Sequence, residues 1–134
     1  MITIGVNIDS SIEKVWEAFT NPQHIVKWNF AVAEWHCPQA KNDLRPGGVF
    51  SYTMAAKDGS MSFDFSGIYD SVIPHQEIAY TLGDGRKVQV IFNPSAHGVE
   101  VVQHFEPESM NPVEMQQAGW QAILNNFRDY VAQL

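Results

Sequence analysis

Apolar residues alternate with polar residues or glycine over the first positions of the chain. Ile2, Ile4, Val6 and Ile8 fall on one side and Thr3, Gly5 and Asn7 on the other, the period-two pattern of a half-buried strand. The spacing then changes to three and four, with Ile12, Val15, Trp16 and Phe19 predicting a short amphipathic helix. Ser10-Ser11-Ile12-Glu13 precedes it and offers a capping box, a serine followed three residues later by a glutamate. Asn21-Pro22 ends that helix and starts a second short one, because proline lacks an amide donor yet fits a first helical turn; Trp28 lies just beyond.

From about residue 33 to 106 the punctuation is that of strands and reversals. Arg45-Pro46-Gly47-Gly48, Lys57-Asp58-Gly59, Ile73-Pro74-His75, Gly83-Asp84-Gly85 and Ser95-Ala96-His97-Gly98 supply turn chemistry at intervals that predict a meander of about six strands. Between the turns, Phe50, Tyr52 and Met54 alternate, as do Phe63, Phe65, Gly67 and Tyr69, and Ile78, Tyr80 and Leu82. One sheet face is therefore expected to be strongly aromatic. Parity is open in the later strands, where Val88, Val90 and Phe92 compete with Ile91, and Val99 and Val101 with Val102.

The last element is a helix running to the end of the chain. Asn111 is its expected N-cap, with Pro112 at the first helical position and Glu114 at the third. Trp120, Ile123, Leu124, Phe127, Val131 and Leu134 then repeat at three and four residues, a broad stripe over roughly 30 Å of helix that can cover a sheet. Gly119 interrupts it at about 1 kcal/mol relative to alanine, tolerable where something approaches the backbone closely. The expected class is α+β, one domain over residues 1–134, with six to seven antiparallel strands, two short helices after the first strand and a long final helix.

Composition narrows the function. A 134-residue chain that is 45% hydrophobic and 12% aromatic can bury one ring-rich core. A net charge of -7 argues against nucleic acid and anionic membrane surfaces, both of which call for clustered Lys and Arg. No apolar stretch is long enough for a membrane-inserted segment. Cys37 is the single cysteine, and Met1-Ile2-Thr3-Ile4 does not read as a secretory signal, so the expected location is the cytoplasm.

Metal ligation is not expected, since His24, His36, Cys37, His75, His97 and His104 form no pair at ligand spacing. Asp64 and Asp70 share a face opposite to that of Phe63 and Phe65, in solvent, where paired-carboxylate chemistry is poor. No Gly-x-Ser-x-Gly elbow is present. Gly83-Asp84-Gly85-Arg86 and Arg45-Pro46-Gly47-Gly48 precede strands rather than helices and read as turns, with Asp43 and Arg45 paired across the latter. No catalytic set, metal or cofactor is assigned. Tyrosines on an aromatic face suggest a partly wet cavity, because a buried phenol requires a hydrogen-bond partner. If Val99, Val101 and Phe105 point inward, Gln103 joins that face, bonded to a tyrosine, water or ligand; if parity is reversed, His104 replaces it.

The stretches Glu13-Lys14-Val15-Trp16-Glu17-Ala18-Phe19-Thr20-Asn21-Pro22 with Trp28, Asp43-Leu44-Arg45-Pro46-Gly47-Gly48-Val49-Phe50, Phe65-Ser66-Gly67-Ile68-Tyr69, and Gly119-Trp120 with Leu124 span nearly the whole chain. Together they resemble the activator of 90-kDa heat-shock protein ATPase homologue family of the START-like (SRPBCC) superfamily. The resemblance implies a helix-grip fold with a cavity between sheet and final helix. It also implies one of several roles: lipid binding, chemistry on polyketide-like aromatics as a cyclase or hydrolase, or assistance to a stress-response chaperone. The co-chaperone that names the family carries a separate chaperone-binding domain, for which 134 residues leave no room, so the chaperone is the lesser expected partner. A homodimer is a further possible assembly. The principal expectation is a small apolar, lipid-like or aromatic molecule held by Trp28, Trp35, Phe50, Tyr52, Phe63, Phe65, Tyr69, Tyr80, Gln103, Trp120 and Leu124.

Overall fold

Strand β1 (Ile2–Ile8) buries every second residue, as its alternation requires. Two short helices follow, α1 (Ile12–Thr20) and α2 (Pro22–Trp28). Six strands then form the meander: β2 (Trp35–Asn42), β3 (Val49–Ala56), β4 (Ser62–Ile73), β5 (Glu77–Leu82), β6 (Lys87–Ser95) and β7 (Gly98–Phe105). Helix α3 (Val113–Ala132) ends the chain. This computed structural model describes residues 1–134.

The strands make one antiparallel seven-stranded sheet in the order β1-β7-β6-β5-β4-β3-β2, so β1 joins the meander by pairing with its last strand. The sheet curls into a half-barrel, helped by register shifts between His36 and Gln39 and between Tyr69 and Ser71. The helices fill its concave side: α3 packs closely along β1, α2 against β2, and α1 against β7. Phe19, Trp28 and Phe127 lock the three helices together, with ring centroids 4.8 to 5.4 Å apart. The Trp28 indole donates to the Ala18 carbonyl at 2.9 Å, and Asn126 donates to the carbonyls of Trp28 and Phe30.

The helix ends differ from expectation in two places. The α1 cap is Ser11 rather than Ser10, its hydroxyl accepting from the Lys14 amide, so Glu13 lies one position too early to complete a capping box. In α3, Pro112 holds the cap position and has no side chain able to bond there; Asn111 lies outside the helix. Gln116 braces the segment before the helix instead of capping it. Its side chain donates to the carbonyls of Glu108 and Asn111 and accepts from the Glu108 amide, tying the β7–α3 connection together. Leu134 falls beyond the helix and is exposed, so the apolar stripe ends at Val131. Nothing lies within 4 Å of a methyl group placed on Gly119, so no close approach explains that glycine.

Gly67 is a different case. A Cβ there would lie 2.7 Å from the Thr81 carbonyl oxygen and 2.9 Å from the Phe50 ring. The bare backbone of β4 is what lets Phe50, 1% exposed, lie flat across the strand at the centre of the aromatic face.

Candidate functional site

The register resolves the parities left open by the sequence. Val88, Val90 and Phe92 point inward from β6, and Val99, Val101, Gln103 and Phe105 from β7. Gln103 therefore faces the concave side. His104 faces outward, where its Nδ1 lies 2.8 Å from the Thr3 hydroxyl.

On β3, β4 and β5 most of the inward side chains are rings. Phe50 is the hub, in contact with Tyr52, Phe65, Tyr69 and Tyr80 at centroid distances of 4.9 to 6.0 Å. Opposite them, Trp120 stacks on Phe105 at 3.9 Å with planes 8° apart, and meets Phe65 edge-on at 5.9 Å. Because α3 runs close to β1, it reaches β4 through Trp120, leaving space between helix and sheet. That space is a cavity of about 360 Å³.

Trp28, Phe50, Tyr52, Phe63, Phe65, Tyr69, Tyr80, Gln103 and Trp120 all line it. The other two expected lining residues do not. Trp35 begins β2, just before its irregular stretch, and packs against Phe63 at the outer edge with centroids 5.9 Å apart. Leu124 is buried in the main core, one turn beyond Trp120 on α3. Phe19, Asn29, Arg86 and Gln116 complete much of the wall without having been singled out from sequence. Arg86 had a readable signal: it continues the inward row of Val88, Val90 and Phe92 by two residues, although the turn signature obscures it.

The three tyrosines differ. Tyr69 donates to Asn42 Oδ1 at 2.6 Å, and Asn42 in turn donates to the Thr20 carbonyl at 2.7 Å, a chain that ties β4 to β2 and the end of α1. Burial raises the Tyr69 phenol above its ordinary pKa. Burial, and then the neighbouring Tyr69 hydroxyl, hold Tyr52 well above that value. Tyr80 is raised by burial and by Tyr69, with the positive charge of Arg86 acting in the opposite direction. These phenols are neutral hydrogen-bonding groups at physiological pH.

Every side-chain nitrogen and oxygen sealed within the protein has a hydrogen-bond partner. The Tyr80 hydroxyl and the Gln103 amide bond to no protein group and are open to the cavity, so the expected bond from Gln103 to a tyrosine is not formed. Cys37 is buried, contacts Asn29 and the Gln39 carbonyl, and has its thiol pKa raised by burial. Asp64 and Asp70 accept hydrogen bonds from Thr53 and Thr81 on the outer surface, and Asp43 pairs with Arg45 at 3.0 Å. No helix is long and apolar enough to cross a membrane.

Comparison with known proteins places this arrangement. The family model described as Activator of Hsp90 ATPase homolog 1-like protein matches residues 9–132. The solution structure of an AHSA1-like protein from Aeromonas hydrophila is 41% identical, with a TM-score of 0.94 over 98% of this chain and 92% of that one. The solution structure of Chr148 from Cytophaga hutchinsonii is 53% identical, with a TM-score of 0.85 and the same coverage of 98% and 92%. Protein CV1439 from Chromobacterium violaceum, at 23% identity, shares the fold with a TM-score of 0.87 over 98% of this chain and 96% of that one. A comparison with curated proteins gives no match.

Proposed function

From the premise that this chain belongs to the Activator of Hsp90 ATPase homolog 1-like family, we propose that it binds a compact, ring-bearing apolar molecule between the sheet and α3. The observation that carries this reading is the pairing of an aromatic wall with polar groups that have no protein partner. Phe50, Phe65 and Trp120 offer surfaces for stacking, while the Tyr80 hydroxyl and Gln103 amide offer hydrogen bonds inside the same space. Buried polar groups are ordinarily satisfied, and a ligand bearing one or two polar atoms would satisfy these. A volume of about 360 Å³ lies near the lower end of the usual range for small-molecule sites, favouring a few fused or linked rings over a two-chain lipid.

The test is a tryptophan-fluorescence titration against a panel of bicyclic aromatics and single-chain lipids, with native mass spectrometry to count bound molecules. Trp28 and Trp120 lie in the wall and report occupancy directly. Saturation by a bicyclic aromatic at one molecule per chain supports the reading. A flat response to the whole panel counts against it.

A chaperone-modulating role has a separate support. Val49 and Ile68, 57% and 51% exposed, pair across β3 and β4 on the outer sheet face and provide an apolar contact surface. Its test is retention of the 90-kDa heat-shock chaperone on the immobilised chain together with a change in ATP turnover. Neither the cyclase nor the hydrolase reading gains comparable support: the lining carboxylate, Glu108, is turned onto the Asn111 amide at 2.7 Å.

A further inference from the structure

We propose that the cavity selects ligands carrying a carboxylate, and that Arg86 receives this group at the mouth between the β5–β6 turn and the β7–α3 connection. The inference rests on the ligand-binding reading above and specifies the chemistry of its polar end.

Arg86 occupies an unusual position for a cation. It lies on the inward row of β6, two residues before Val88, and its carbonyl accepts from the Leu82 amide across the hairpin. Its side chain is 24% exposed and borders the cavity. Asp84 holds Arg86 through two contacts. One carboxylate oxygen accepts from the Arg86 amide at 3.1 Å, and the other accepts from Nε at 2.7 Å.

With Nε held in this way, the two terminal amino groups remain without a partner in the chain. That is the end-on edge of the guanidinium, whose parallel N–H groups match the two oxygens of a carboxylate. Tyr80, on the inward row of the adjacent strand, contributes a free hydroxyl to the same region, where the charge of Arg86 already acts on its phenol. Two negative charges oppose an incoming carboxylate: Asp84, paired with Nε at 2.7 Å, and Glu108, which also lines the cavity. The Glu108 Oε1 accepts from the Asn111 amide, which turns that carboxylate onto the connection. The lining thus places a cation and a hydroxyl at one end of a box of rings, the arrangement expected for an aromatic or cyclic carboxylic acid.

A matched pair of probes tests this: 2-naphthoate and its methyl ester, each titrated by tryptophan fluorescence against the wild-type chain, Arg86→Gln and Tyr80→Phe. The wild type should bind the acid about tenfold or more tightly than the ester, the difference expected for one charge-assisted contact. Arg86→Gln should erase that preference by weakening the acid and leaving the ester unchanged. Tyr80→Phe, which keeps the ring, should weaken the acid by a smaller factor. Circular dichroism confirms that each variant is folded. Equal binding of acid and ester by the wild type, or undiminished acid binding by Arg86→Gln, overturns the carboxylate inference while leaving the pocket reading intact. Failure of both probes, and of naphthalene itself, overturns both.

Discussion

The two halves of the concave sheet face are built from the same alternation but end in different states. On β1, β6 and β7 the inward residues are mainly aliphatic, among them Ile2, Ile4, Val6, Val88, Val90 and Val101, and all are buried. On β3, β4 and β5 they are mainly rings, three of them bearing hydroxyls, and they border open space. Helix position accounts for the difference: α3 lies close along β1, so small branched side chains suffice to close the gap, whereas the far strands are spanned by Trp120. Aliphatic residues at close range make a dry core, and rings at longer range leave a vault. The close-packed half and the cavity half are thus separable by position on one sheet.

That separation is tested most sharply by truncation on the dry side. Phe127, fully buried and in contact with both Phe19 and Trp28, should lose about 3 to 5 kcal/mol of stability when changed to alanine, read from urea unfolding. Tyr69→Phe should cost less, about 1 to 3 kcal/mol, because it deprives the Asn42 oxygen of its donor in a part-buried site. This variant also sharpens the comparison by showing that one ring of the cavity half has a structural duty.

High pH acts on the cavity half through its three tyrosines, and on the buried Cys37 thiol of β2. The phenols of Tyr52, Tyr69 and Tyr80 are all raised above their ordinary value of about 10 in the folded chain. Above that pH the unfolded chain loses phenolic protons that the folded chain retains, so the stability they supply is complete below about pH 10 and declines as pH rises further. Urea midpoints measured through that range should fall, and replacing Tyr52 and Tyr80 by phenylalanine should flatten the decline. An unchanged slope in that double variant would locate the effect elsewhere.

The smaller effects lie at the helix surface and the cavity wall. Gly119→Ala should stabilise the chain by roughly 0.5 to 1 kcal/mol, since a methyl group there meets nothing and the helix gains propensity. Tyr80→Phe should alter unfolding by less than about 0.5 kcal/mol, as its hydroxyl has no protein partner to lose. A large loss in that variant would mean that the two halves are not separable.

Much of this division could be read from the chain itself. The alternation of β1, the helical spacing of α1 and α3, and the glycine and proline turns specify the elements, while the rings of β3 to β5 mark the cavity wall. What was not legible depended on register or on distance. Gln103 and His104 cannot be told apart until β7 is seen paired with β1 and β6. Trp35 and Leu124 satisfy the periodicity but occupy an outer edge and a packed core, because periodicity defines a face and not how far along it the space extends. Arg86 was concealed by its turn, and Asn42 and Gln116 act through hydrogen bonds to remote partners that leave no mark on hydropathy.

Gln116 carries one more consequence, for how the wall of the vault moves. Glu108, Asn111 and Gln116 form part of the wall of the vault, and the bonds from the Gln116 amide to the carbonyls of the first two hold that stretch in place. A latch made of hydrogen bonds can open without disturbing the buried rings behind it, so the Glu108 amide should exchange with solvent by a local route far faster than the amides of Val90 or Val101. That stretch of wall would then open on the release of a single side chain, with the packing of the rings behind it intact.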